Sequence, residues 1–315
     1  MTASIRGLRP DDLADAESVV RVLRAALPFS ITSAEGLAFE LSSAHPAKHH
    51  RVLVAEGPDG RVVGAARAGI VYDSPDPGQS YLNTYVDPAH RGLGAGRLLL
   101  HAAEEHLAAH GAVDAYSWVL DEPAHRAFAE RNGYLPRRSA HRLRLDLATV
   151  TLPELPRDED LPAGVELRPG SAFAADPRPL FEADAEATAD EPGDVAVEPS
   201  DYEDWLAHIW NDPTLDKELT TVALVDGVVA SFAAVQTDGA ARYGSAMTGT
   251  VRAFRGRGLA KLAKTASLHR ARAAGFREAF TGNDAGNDPM LAINEWFGYE
   301  ICATETRFTK KLETL

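Results

Sequence analysis

The sequence predicts an α/β chain made of two copies of one domain, and three observations predict it. Short segments recur in the same order half a chain apart. Strand-like runs alternate with helix-like ones inside each half. A length of 315 residues with 45% hydrophobic content suffices for two cores. Leu8-Arg9-Pro10 returns as Leu167-Arg168-Pro169, Arg91-Gly92-Leu93-Gly94 as Arg255-Gly256-Arg257-Gly258, and Gly133-Tyr134 as Gly298-Tyr299. Glycine loop and Gly-Tyr pair are 42 positions apart in the first half and 43 in the second. A period of half the chain means a duplicated domain rather than a solenoid. The copies are residues 1–147 and 165–315. Between them, 148–164 carries Pro153, Pro156, Pro162 and the run Arg157-Asp158-Glu159-Asp160, the composition of a linker.

Each element follows from its local pattern. In the first copy, Arg51–Ala55 and Val62–Ile70 are β-branched or apolar runs around Pro58-Asp59-Gly60, which predicts a hairpin. Tyr81–Val86 is a further strand, closed by Asp87-Pro88. Leu98–His110 spaces Leu99, Ala102, Ala103 and Leu107 as a helix does, and Gly111 stops it. Val113–Val119 is a strand, Pro123–Arg131 a helix and Arg142–Leu147 a last alternating strand. The second copy repeats the order: Thr221–Val225 and Val228–Val235 around Asp226-Gly227, then Ser245–Val251, a helix from Leu259 to Ala274, Arg277–Thr281, a helix over Pro289–Phe297, and Thr304–Lys310.

Charge and cysteine content narrow the function. The formal net charge is −14, and the stretch Glu154–Asp204, with sixteen acids against three bases, carries almost all of it. An acidic chain without a basic stripe is not built to neutralise phosphates along a nucleic acid. The acidic stretch reads either as a solvated surface or as a mouth that concentrates a cationic substrate. No run reaches the ~18 apolar residues of a membrane span, and no basic-then-apolar signal sequence opens the chain; a cytoplasmic protein is expected. The single Cys302 can form no internal disulfide and is expected as a buried small hydrophobe. No metal site is expected. His45, His49 and His50 cluster without ligand spacing, and His101 and His106 fall on different faces of one helix.

Chemistry is most legible at strand, glycine loop and helix. There the backbone turns so that successive N–H groups point into one concavity, and the helix N-terminus adds about half a positive charge. Neither Gly92-Leu93-Gly94-Ala95-Gly96-Arg97 nor Gly256-Arg257-Gly258-Leu259-Ala260-Lys261 has the G-x-x-x-x-G-K-[ST] of a nucleoside-triphosphate loop or the G-x-G-x-x-G of a dinucleotide site. Both fit R-x-x-G-x-[GA], with Arg91 and Arg255 leading. This resembles the acyl-CoA pyrophosphate loop of the GNAT (GCN-related N-acetyltransferase) superfamily. Thr281 to Tyr299, with Asn283, Asn287, Met290 and Asn294, is similar to a signature of actinobacterial tandem GNAT proteins. The resemblance covers essentially the whole chain. It implies two domains, each with a mixed, mostly antiparallel sheet flanked by helices, and acetyl-CoA as co-substrate. It further implies pantetheine pairing with backbone around Val86 and Val251, and pyrophosphate held by the N–H groups of Gly92–Arg97 and Gly256–Lys261. Asn287 and Asn294, seven apart and so on one helical face, fall where family members approach the pantetheine and thioester. The alternative for the pair is a helix cap and a packed amide.

The copies differ at this helix. Counting back from the glycine, Asn287 corresponds to Glu122 and Asn294 to Ala129, and neither copy has the tyrosine that many GNAT enzymes use to protonate departing thiolate. The second copy is therefore expected to carry the chemistry, with Asn294 as a catalytic residue and the first copy more degenerate. A base is expected among Asp190, Glu191, Asp194 and Glu198, with Asp190-Glu191-Pro192 resembling a D-x-P element of related tandem sequences. The expected activity is N-acetyl transfer from acetyl-CoA to the primary amine of a small cationic acceptor, by direct attack in a ternary complex. An acyl-CoA sensor and an acetyltransferase of protein N-termini or lysines are the alternatives. A monomer or a homodimer is expected, although two fused copies already supply the partner surface that a GNAT domain often seeks.

Overall fold

The computed structural model describes residues 3–190 and 200–312. Chain order is β1 (Ser4–Gly7), α1 (Leu13–Ala26), α2 (Ala34–Ser43), β2 (Arg51–Glu56), β3 (Val62–Ile70), β4 (Gln79–Val86), α3 (Ala95–Ala109), β5 (Asp114–Leu120), α4 (Pro123–Arg131) and β6 (Leu135–Asp146). The second half repeats it with β7 (Val165–Pro169), α5 (Arg178–Thr188), α6 (Tyr202–Trp205), β8 (Thr221–Val225), β9 (Val228–Thr237), β10 (Arg242–Thr250), α7 (Leu259–Ala273), β11 (Glu278–Asp284), α8 (Asp288–Trp296) and β12 (Glu300–Lys311). The pattern-based elements all appear. The strand expected from Arg142 instead begins at Leu135. The first 50 residues, for which no element was expected, hold β1, α1 and α2.

The chain forms two compact units. Among the described residues, one comprises 3–141 with 303–312, the other 142–190 with 200–302. In the first unit, β1 to β4 form antiparallel neighbours and β5 lies parallel to β4. Beside β5 runs the end of β12, antiparallel from Glu305↔Leu120 to Lys311↔Asp114. The second unit has the same plan, β7 to β10 antiparallel and β11 parallel to β10. There the last residues of β6 stand next to β11, with Leu147 N–H donating to the Arg277 carbonyl at 2.8 Å. Each unit thus completes its sheet with a segment from the other repeat.

Packing explains why those segments are held. In the first unit, α3 lays Leu99, Ala103 and Leu107 on one face of the sheet, and Phe308 and Leu312 of the second repeat join that cluster. The other face is covered by Val19, Val22 and Leu23 of α1. In the second unit, Leu143, Leu145 and Leu147 of the first repeat pack with Tyr243, Leu268 and Phe297. Cys302 departs from expectation. It is exposed, in the first residues of β12 before the strand's buried stretch begins at Glu305, and its thiol lies 3.3 Å from the Arg142 carbonyl.

Truncating the fully buried Phe308 to alanine should cost about 3–5 kcal/mol, read by chemical denaturation. Hydrogen exchange should lose protection over residues 112–134 and leave 219–243 unchanged. Equal loss in both stretches would refute the placement of this side chain in the first unit's core.

Candidate active site

Both units build the same notch from a failure of strand pairing. β3 stays paired with β4 as far as Val86, but β5 pairs only with Gln79–Tyr81. β9 stays paired with β10 as far as Thr250, whereas β11 pairs only with Arg242–Gly244. Beyond those points the fourth strand turns one edge to an opening. In the first unit the Asn83 carboxamide oxygen spans the divergence, accepting from the Trp118 N–H at 2.8 Å. In the second, β10 bulges between Ser245 and Met247. Successive N–H groups of a strand point to opposite edges. Asp87 N–H donates to the Val63 carbonyl, so the Val86 N–H points into the notch. Val251 N–H donates to the Ala230 carbonyl and its own carbonyl accepts from Phe254. This moves the notch-facing N–H of the second unit to Thr250.

Each notch ends in the glycine loop. Gly92 and Gly94 have φ of 81° and 86°, Gly256 and Gly258 of 75° and 77°. This left-handed region costs a side-chain-bearing residue roughly 1–2 kcal/mol. A Cβ at any of the four would meet nothing within 4 Å, so the glycines serve conformation and leave a clear concavity. Gly94 and Gly258 begin α3 and α7 with no side-chain cap and no acid in the first turn. The first N–H groups are thus left to an anion. In the first unit this end lines a cavity of about 460 Å³ that includes Val86, Arg91 and, except the exposed Leu93, every residue of Gly92–Arg97. His125 and Phe128 of α4 and Glu305 of β12 close it. Burial and the Arg91 charge hold the His125 pKa below the usual imidazole range. Open glycines, an uncapped helix and two arginines fit a diphosphate.

In the second unit the loop is tied down. Arg255 donates through Nε to the Thr250 carbonyl at 3.0 Å and through Nη2 to Asp190. Arg252 reaches both oxygens of the same carboxylate at 2.9 and 2.8 Å. These two guanidiniums hold the Asp190 pKa at about 2, which suits a fixed anion and argues against a proton acceptor. Lys261 lies over the Trp296 ring and Arg257 over that of Phe254, while Leu259 is buried. Glu191, Asp194 and Glu198 lie outside the described residues.

Asn287 caps α8, accepting from Met290 N–H. Asn294 is fully buried. Its Oδ1 accepts from Lys264 Nζ at 2.7 Å and its Nδ2 donates to Asn283 Oδ1 at 2.6 Å. Asn294 and Asp190 therefore belong to separate networks. Lys264, which the motif reading missed, is also fully buried, near the rings of Tyr299 and Phe297. Burial pulls its pKa down to about 7. A signal existed, since Lys264 shares a helical face with Leu268 and Ala271. Asp184, also missed, follows Leu180 and precedes Ala187 at helical spacing. It lines a second cavity of about 340 Å³ in this unit. Among the described residues, no group of three or more His, Cys, Asp or Glu side chains could hold a metal ion, and no helix is long and apolar enough to cross a membrane.

Residues 18–134 match the acetyltransferase (GNAT) family. The chain is 32% identical over 264 residues to a mycothiol acetyltransferase of Clavibacter michiganensis subsp. michiganensis, covering 82% of this chain and 80% of that one. To the protein of the same name from Nocardiopsis dassonvillei it is 28% identical over 271 residues, 79% of each. Its fold resembles a tandem GNAT protein from the clavulanic acid biosynthesis pathway, with a TM-score of 0.71 at 20% identity over 99% of both chains. It also resembles a GCN5-related N-acetyltransferase from Sphaerobacter thermophilus, with a TM-score of 0.69 at 22% identity over 99% and 96%.

Two outcomes follow from this geometry. Gly258→Asp places a carboxylate in the concavity and a side chain at positive φ, and should abolish coenzyme A binding by the second unit. Calorimetry should then register one fewer site than in the parent, and an unchanged count would reject the loop assignment. Lys264 binds fewer protons folded than unfolded between about pH 7 and its ordinary value of 10.5, so its contribution to stability rises with pH across that window. Denaturation of the parent and of Lys264→Met should show the parent gaining relative to the variant from pH 7 to 10. Parallel curves would contradict a depressed pKa.

Proposed function

Because the chain belongs to the acetyltransferase (GNAT) family, with acetyl-CoA as its co-substrate, we propose that it acetylates the primary amine of a small cationic acceptor by direct attack, and that the second unit is where this happens. The observation that carries the reading is the second unit's combination of notch, glycine loop and a separate cavity of small-molecule size. The relatives named mycothiol acetyltransferase support a small-molecule acceptor. Backbone N–H groups of Gly256–Lys261 would grip the pyrophosphate, and the Thr250 N–H, in place of Val251, would meet the pantetheine arm. In the first unit Val86 and Gly92–Arg97 would do the same, as a second coenzyme site.

The energetics set what the residues must supply. An amine with a pKa of ~10.4 is protonated at neutral pH, and removing ~3 units of protonation costs about 4 kcal/mol. A thiol of pKa ~8.5 leaves readily, so no strong acid is demanded where the family tyrosine is missing. Holding amine and thioester at attack distance supplies much of the remainder. Asn287 caps α8, and Asn294 of that helix, held by Lys264, would orient Asn283 near the end of β11. Asp190 remains an anion that fixes Arg252 and Arg255 beside the loop.

Thiol release from acetyl-CoA, followed over a panel of amines, tests the reading. Gly258→Asp should remove at least nine-tenths of the turnover, while Gly94→Asp should leave most of it. The reverse pattern would move the chemistry to the first unit. Coenzyme uptake without thiol release on any amine would make the protein a coenzyme-binding module.

A further inference from the structure

The second unit's 340 Å³ cavity lies between α5, α6 with the turn after it, and the strands β9 and β10. Its walls are mostly apolar, among them Leu180, Trp205, Trp210, Phe232 and Met247; among the described residues Asp184 is the one acid in them and His208, bonded through Nδ1 to the Asp204 carbonyl, the one basic side chain. A carboxylate in such a wall is costly unless something answers its charge. Among the described residues its hydrogen-bond donor is Trp205 Nε1, at 2.8 Å on Oδ2, and no Lys, Arg or His pairs with it. Neighbouring acids of the same stretch are answered by the protein itself: Glu186 accepts from the Arg252 N–H at 2.6 Å, and Asp190 from two guanidiniums. Burial raises the Asp184 pKa above the usual carboxylate range, partly offset by the Trp205 donor.

The aromatic wall is built by an uncommon backbone turn. Residues Leu206–Trp210 form one turn of π-helix, closed by Asn211 N–H on the Leu206 carbonyl at 3.0 Å. Its wider turn, closed by an i→i+5 bond, brings positions five apart toward one face and stacks Trp205 on Trp210, ring centres 5.8 Å apart and planes 20° apart. Phe181 backs Trp205 edge-on at 5.8 Å. Single π-turns recur at functional sites, and indole faces beside a carboxylate attract an organic cation through both ring quadrupole and charge. The cavity also touches β10 at Ala246 and Met247, where that strand bulges and its notch begins. Its volume falls within the ~300–1,000 Å³ of small-molecule sites.

We infer that this cavity is the ammonium site of the second unit: Asp184 seats the acceptor's charged nitrogen, and the Trp205–Trp210 stack holds an apolar group carried beside it. The acceptor class is thus an amphipathic primary amine. The inference rests on acetyl transfer to an amine in this unit. In the reaction, the ammonium gives one proton to Asp184, which passes it to water. The nitrogen lone pair forms the N–C bond to the acetyl carbonyl, the C–S bond breaks with its electrons going to sulfur, and the nitrogen's second proton ends on the thiolate. The products are amide, coenzyme A thiol and one released proton.

Calorimetry on the full chain with 2-phenylethylamine and its neutral isostere 2-phenylethanol tests the site apart from turnover. The amine should bind at least tenfold more tightly than the alcohol. Asp184→Asn should erase that difference while leaving coenzyme A uptake unchanged, and Asp184→Glu should restore part of it. Amine binding that is absent, or no tighter than that of the alcohol, overturns the inference, as does a preference that survives Asp184→Asn. If no amine supports thiol release yet the Asp184-dependent preference persists, acetyl transfer fails and the ammonium site stands. If amines turn over but Asp184→Asn raises KM less than fivefold, the site fails and acetyl transfer stands.

Discussion

Neither repeat closes its own sheet, and that constraint governs the rest of the structure. The strand next to β5 in the first unit is the end of β12, and the strand next to β11 in the second is the end of β6. An unpaired edge beside a buried parallel strand would leave backbone groups without partners and an apolar face open to water. The exchanged segments supply both the hydrogen bonds and the side chains, Phe308 on one side and Leu143 to Leu147 on the other. A unit cut out at the repeat boundary would lack the strand that completes its core.

With the far side of β5 and β11 closed in this way, the near side is free to diverge. Pairing with β4 and β10 stops after three residues in each unit. The same local chemistry, a strand edge running into two positive-φ glycines and an uncapped helix, then arises twice. The two sites differ in what surrounds the loop. In the first unit Arg91 lines the cavity with the open glycines. In the second, Arg255 is anchored to Thr250 and Asp190, and the interior behind the loop carries a buried lysine held by an asparagine.

The acidic stretch shows how burial sorts residues that look alike in sequence. Asp184, Glu186 and Asp190 lie on one turn and a half of chain. Asp190 is ionised between two guanidiniums, Glu186 meets a backbone N–H, and Asp184 faces an aromatic cavity with a raised pKa. Their net charge says only that cations are attracted to this region. Which acid can take up or release a proton near neutrality depends on desolvation and on the partners each finds.

By itself the sequence determined the duplication, the hairpins, the α3 and α7 helices and the two glycine loops before them. Those features rest on periodicity and on glycine at positive φ, which are properties of neighbouring residues. The exposure of Cys302, the exchange of the last strands, the shift of the notch-facing N–H from Val251 to Thr250, the buried pairing of Lys264 with Asn294 and the isolation of Asp184 among indoles were decided by the tertiary structure. Each depends on which groups from distant parts of the chain meet and on how much water they lose when they do, and no local pattern encodes that.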